Sequence, residues 1–401
     1  MKKSLFPLAM TVALAMGSAA SAQTLRIGLN EDPDVLDPHR ARTFVGRIVF
    51  TSLCDKLIDI TPELKFVPQL ATEWTWTDPK TLTFKLRPGV KFHDGEPLNA
   101  AAVKANIDRA RTLPDSLRKS ELGSVESVEA VDDMTVALKL SRADATLLSQ
   151  LSDRAGMMMS PKALASADFG QKPVCSGPYR FVERVQNDRI VLERFKDYWN
   201  AKDYNFEKVV FQPIPDTTVR LANLKAGNLD MLERLAPSDV AAVKQDSSLT
   251  FAPVSGIGYQ GLTINTNNGE RSKTPLGQDK RVRQALEYAI DRDVINEVVG
   301  QGIFPPAGQP FPEASPYNDK KFAAKKRDVE KAKKLLKEAG VDRVKFDLTF
   351  GTSTTTQQIA EIIQAMAAEA GFDISLRPTE FAAMQKEAQA GNFDVNVIGW
   401  S

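Results

Sequence analysis

Short apolar runs that alternate residue by residue give way, along most of the chain, to apolar residues spaced at the helical repeat. This alternation constrains the fold more than any other feature. TLRIGL (24–29), TLTFKL (81–86), VVFQPI (209–214), GLTIN (261–265) and VKFDLTF (344–350) read as strands. Between them, Val103, Ile107 and Ala110 mark one helix face after Asn99 at an N-cap position, and Thr217 to Ala226 predicts a helix stopped at Gly227. Val282, Ala285, Leu286, Ala289 and Ile290 define a further helix face, residues 329–339 a helix ending at Gly340, and Ile359, Ile362, Ile363 and Met366 another. VESVEAVDDMTVALKL (125–140) predicts two strands around an Asp-Asp turn, and 179–195 a hairpin with Gln186-Asn187-Asp188 at its tip. Strand–helix–strand units of this kind predict α/β lobes with largely parallel sheets. At 401 residues the chain is long enough for two or three domains.

Residues 1–22 carry Lys2 and Lys3, an apolar stretch from Leu5 to Met16, and small residues ending Ala20-Ser21-Ala22. That order is the one a secretory signal peptide shows, and its apolar core is too short to span a bilayer. No Cys stands at the junction to take a lipid, so the mature chain is expected to begin at Gln23, exported and not inserted in the membrane. Without Lys2 and Lys3, 50 of the 52 basic residues face 51 acidic ones, a net charge of −1. Nucleic acid is excluded as a partner on this ground, since its binders show a basic excess or stripe. Cys54 and Cys175 are the two cysteines; an oxidising compartment permits a disulfide between them, and two buried free thiols are the alternative.

The chain offers little for catalysis. Phosphate-cradling glycine motifs, H-E-x-x-H and G-x-S-x-G are all missing, and two isolated histidines, His39 and His93, make neither a zinc site nor a base for a cysteine nucleophile. No metal site, cofactor or catalytic residue is predicted. The acidic cluster Glu31, Asp32, Asp34, Asp37 reads as a solvated loop, and Gly256-Ile257-Gly258 as a turn. Trp199 is expected to plug a core edge. Trp400 ends a closing apolar strand where open α/β sheets gather their ligands, which makes it a candidate pocket residue beside Tyr259.

Several stretches resemble the family 5 extracellular solute-binding proteins, the peptide, nickel and glutathione receptors of ABC importers. They are LNEDPDVLDPH, TLTFKLRPGVKFHDGEPLNAAAVKANIDRA, SGPYRFVERVQNDRIVLERFKDYW, DKRVRQALEYAIDRDVI and FDVNVIGW, in family order along nearly the whole mature chain. The resemblance implies a fold like the type II periplasmic binding proteins: two hinged lobes plus an extra small α+β domain. Residues 23–62 and 173–265 would form the first lobe, 63–172 the small domain and 266–401 the second lobe. It also implies that members continue past Gly399-Trp400-Ser401, so that the C-terminal part of the second lobe is missing and its final strand is an open edge. The discontinuous first lobe would bring Cys54 and Cys175 together. The family's N-terminal site loop falls on Ala41 to Phe44, whose main chain would meet an extended ligand as an added strand does. Thr43, Phe44, Tyr259 and Trp400 are thus the expected ligand contacts.

The function implied is a monomeric periplasmic receptor that closes on a di- or oligopeptide and hands it to a membrane permease. Nickel-chelate, glutathione, opine and sugar receptors share the fold. A secreted hydrolase or a chaperone-like binder is the alternative from another class.

Overall fold

A computed structural model describes residues 23–253, 258–313, 315 and 317–400. The expected signal peptide (1–22), Gly256 and Ile257 of the expected turn, and Ser401 lie outside the described residues. Three sheets of four or five strands, each with its own apolar core, account for most of the mixed α/β architecture.

The first sheet is assembled from segments far apart in the chain. Strand Thr24–Leu29 lies between Lys208–Pro213 and the short Met231–Leu232, parallel to both. Arg189–Arg194 and Tyr179–Val185 continue the sheet antiparallel beyond Lys208–Pro213, joined by a hairpin in which Asn187 takes the left-handed conformation at φ 59°. Helix Phe44–Leu53 covers it with Val45, Val49, Phe50 and Leu53 inward. Its N-terminus is capped by Thr43, whose Oγ1 accepts the Gly46 N–H at 3.1 Å, the usual remedy for unpaired first-turn donors. The chain returns to this core through Cys175, which is bonded to Cys54 with Cα atoms 4.9 Å apart.

Between those passes the chain builds an antiparallel sheet in the order Ala71–Asp78, Thr81–Leu86, Thr135–Leu140, Val125–Asp132. Helix Ala100–Thr112 packs on it through Val103, Ile107 and Ala110, with Asn99 Oδ1 accepting the Ala102 N–H at 2.9 Å. Trp199 packs at the edge of this core; its indole N–H reaches Asp55 at 2.7 Å, and the Arg87 guanidinium lies 3.9 Å from the ring centre.

The third sheet runs Tyr259–Ile264, Val395–Trp400, Val344–Gly351, Phe372–Thr379. The last three strands are parallel, with helices Thr354–Ala368 and Phe381–Gln389 as the crossovers between successive ones in the chain. Two expectations change here. Tyr259–Ile264, assigned to the first lobe by the boundary at 265, pairs with Val395–Trp400 over six residues and so belongs to this sheet. Val395–Trp400, expected as an open edge, is therefore paired along its whole length on one side, while on its other side Leu348 and Thr349 meet only Val395 and Asn396. The physical reason is the antiparallel strand itself: it supplies the hydrogen-bonding partners the last strand would otherwise lack. Among the described residues no helix is long and apolar enough to cross a membrane.

Candidate ligand-binding site

Two rims of strand ends carry the sequence candidates. At the first, the loop after Leu29 is held by its own acids. Asp37 is fully buried and takes both arms of Arg109, at 3.1 Å and 2.7 Å, together with the His39 N–H at 3.0 Å. Asp32 is likewise buried and accepts from Arg184 Nη2 at 2.9 Å and the Asn187 N–H at 3.0 Å. Asp34 accepts the Arg42 N–H at 3.0 Å and the Thr43 hydroxyl at 3.2 Å. The expected solvated loop is thus a loop fixed from within, because charged partners from distant elements compensate the desolvation of its carboxylates.

The same bonds limit what this loop can offer a ligand. Thr43 Oγ1 both donates to Asp34 and accepts from Gly46, and the residue is buried. Ala41 gives its N–H to Asp37 O at 2.8 Å, and its carbonyl accepts from Arg154 at 3.0 Å and Arg118 at 3.4 Å. The Ala41 and Arg42 amides and the Ala41 carbonyl are therefore already engaged, where an added ligand strand was expected to use them. Phe44 differs. Its ring is partly exposed, with the guanidinium carbons of Arg234 and Arg47 at 5.2 Å and 5.7 Å from its centre.

Sequence reasoning missed the residues around it. Glu233 follows Met231–Leu232 and accepts the Asn30 N–H at 2.9 Å, and Arg234 Nε lies 3.4 Å from its other oxygen. Glu31, half-buried, has its carboxyl pushed up to about 8, by desolvation first; Arg234 opposes the shift while Glu233, Glu380 and Asp34 add to it. Burial also raises Glu233. The only sequence signal for this group was the acidic cluster containing Glu31; a two-residue strand gives no periodicity to find.

The second rim is formed by the carboxyl ends of the parallel strands in the third sheet. Tyr259 and Trp400 stand directly opposite each other in the antiparallel pair, both exposed, on one face of the sheet. Glu380, just past Phe372–Thr379, caps helix Phe381–Gln389 by accepting the Ala382 and Ala383 N–H groups at 3.1 Å and 2.9 Å. Of the expected contacts, Thr43 and Phe44 are adjacent on the first rim, and Tyr259 and Trp400 are paired on the second.

Neither histidine faces this region as a free base. Burial pushes His39 down to about 3, with Arg109 and Arg118 adding to the shift against Asp37. Burial likewise pushes His93 down to about 4. His93 Nδ1 accepts the Cys175 N–H at 3.2 Å, which leaves Nε2 to donate to Gly177 O at 3.0 Å.

Residues 65–401 match the family model described as bacterial extracellular solute-binding proteins, family 5, middle. The glutathione-binding protein GsiB of Pectobacterium atrosepticum is 31% identical over 396 residues, covering 97% of this chain and 75% of that protein. GsiB of Escherichia coli K12 is 28% identical over the same shares. Among solved structures, the periplasmic binding protein AgaA of A. tumefaciens R10, in complex with agropinic acid, superposes with a TM-score of 0.84 at 28% identity, covering 94% of this chain and 77% of that one. The Helicobacter pylori protein DppA, bound to the peptide STSA, has a TM-score of 0.85 at 24% identity over 94% of this chain and 78% of that one, a likeness of fold.

Proposed function

The chain belongs to the family 5 bacterial extracellular solute-binding proteins, and from that premise we propose that it captures a small peptide-class solute in the periplasm and delivers it to an ABC-importer permease. It is a binding receptor of the ABC-importer type and not an enzyme. The observation that carries the peptide-class reading is the run of similarity to glutathione-binding relatives over 97% of the chain. The two rims are consistent with it: Phe44 on one and Tyr259 with Trp400 on the other supply apolar surface, with acids and Arg234 to orient polar groups.

The same reading divides the chain into a first lobe from residues 23–62 and 173–253, a small domain over 63–172, and a second lobe that begins by Tyr259. Export through residues 1–22 and action as a monomer are part of this reading. Capture by hinge closure requires that the solute favour the closed state, since a ligand shifts an equilibrium only by its differential affinity. A second reading, an opine receptor, rests on the 28% identity to the agropinic acid complex.

Thermal denaturation of the full chain with glutathione, di- and tripeptides, an opine and a nickel chelate separates these. A solute at ~100 times its dissociation constant stabilises the native state by about 2.7 kcal/mol. A shift with the opine alone would replace the peptide-class reading by the second one.

A further inference from the structure

Arg234 holds a backbone conformation that its position must enforce. Its φ is 54°, in the left-handed region that glycine and asparagine occupy more readily than arginine. Neighbours on both sides hold it there. Arg220, 2% exposed, donates Nη2 to the Arg234 carbonyl at 2.9 Å and Nη1 to Ile214 O. The preceding Glu233 gives its N–H to Gly28 O at 3.0 Å. A buried guanidinium and the first sheet thus fix a turn from which the Arg234 side chain leaves beside Phe44, just past the carboxyl ends of Thr24–Leu29 and Met231–Leu232.

The head group is positioned but not consumed. Among the described residues its one ion pair runs from Nε to Glu233 at 3.4 Å, and Nη1 and Nη2 make no hydrogen bond. Arg109 and Arg220, by contrast, have both Nη atoms bonded to protein. Phe44 flanks the head group, its ring centre 5.2 Å from the guanidinium carbon, and the Nη1/Nη2 edge is left as the pair of parallel donors that matches a carboxylate. Strained backbone held by its surroundings is characteristic of binding and active sites.

We propose that Arg234 is the receptor for a carboxylate of the captured solute, which makes that solute an amino-acid-derived molecule with a free carboxylate and not one whose acid groups are absent or blocked. This inference rests on the peptide-class reading above and deepens it. Glu233 stands beside the arginine, Oε2 at 3.4 Å from Nε, and accepts from any ammonium or amide N–H the same solute carries.

The test is isothermal calorimetry on the full chain, with glutathione and Met-Leu as probes, each as the free acid and with its carboxylates amidated. For a probe that binds, amidation is expected to weaken the wild-type protein roughly 10- to 100-fold, the range for a hydrogen bond to a charged group. Arg234→Gln, which keeps the side chain's length and a polar head, is expected to bind the free acid as weakly as the wild type binds the amide, and to lose nothing further on amidation. Arg234→Lys keeps the charge without the fork and is expected to fall between them. An unchanged melting temperature of the free Arg234→Gln protein assigns the loss to the site. Acid and amide binding the wild type within about threefold of each other, a difference of under 1 kcal/mol, overturns the inference alone. So does a full acid–amide difference retained in Arg234→Gln. Failure of both probes to bind the wild type in either form brings down the peptide-class reading and this inference with it.

Discussion

Replacing Cys54 and Cys175 together by alanine tests how the discontinuous first lobe is held. The bond spans 121 residues, and on the chain-entropy account closing a loop of that length in the unfolded state is worth about 5 kcal/mol. The enclosed chain is not featureless, however. The core built from Leu57 to Met158 lies wholly within it. If that domain is folded while the first lobe opens, the flexible part of the loop shrinks to roughly 20 residues and the effect to about 3 kcal/mol. Urea unfolding followed by tryptophan fluorescence distinguishes the two, because Trp199 sits where the small domain's core meets Asp55. A single transition losing about 5 kcal/mol indicates concerted unfolding, and a loss of about 3 kcal/mol in an earlier of two transitions indicates domain-wise opening. Wild-type protein unfolded in reductant is expected to match the double variant, which separates the crosslink from the two deleted sulfur atoms. A loss below ~1 kcal/mol in both would refute the reasoning, since neither loop length permits it.

Three further outcomes follow from the same contacts. Asp55 is buried and pushed up to about 7, by desolvation against the hydrogen bonds from Trp199 and Tyr198. The folded state therefore holds a proton that the unfolded state gives up, so wild-type stability is expected to fall as pH rises from ~4 to ~7 and then level off. Asp55→Asn should flatten that slope in urea titrations taken across the window; an unchanged slope would assign it elsewhere. Arg109→Met strands the fully buried Asp37 and is expected to cost about 3–5 kcal/mol by thermal or urea unfolding. Trp400→Ala, at 57% exposure, is expected to move stability by no more than ~0.5 kcal/mol. The same variant should abolish the thermal shift given by whichever solute the wild type binds, and a retained shift would remove Trp400 from the site.

What could be read in the chain beforehand was local. Asn99 capping its helix, the hairpin tip at Asn187, and the helix stops at Gly227 and Gly340 (φ 75° and 76°) all depend on a few neighbouring residues. Helix Phe44–Leu53 ends where Cys54 turns extended, although apolar residues continue to Ile58, and Leu57 joins the small domain's core. Pairing across distance was not legible. Nothing near Asp37 announces Arg109, nothing near Asp32 announces Arg184, and these partners turn an apparently wet loop into a rigid one. The site divides in the same way. As candidates, Tyr259 and Trp400 come from their places at strand ends and Phe44 from resemblance, whereas Glu233 and Arg234 follow a strand too short to leave a pattern.

The pairing of Tyr259–Ile264 with Val395–Trp400 also imposes an order in time. Ile264 meets Val395 in the finished sheet, so the earlier strand waits for about 130 residues to be made before its partner exists. At the usual pace of synthesis that delay is roughly 7 to 26 s. Throughout it, Leu262 and Ile264 lack their place in the sheet, and a strand with a free ladder is a template for the wrong partner. The earlier strand therefore has to stay unpaired until residue 400 has emerged, and any shortening that removes the last strand makes the wait permanent.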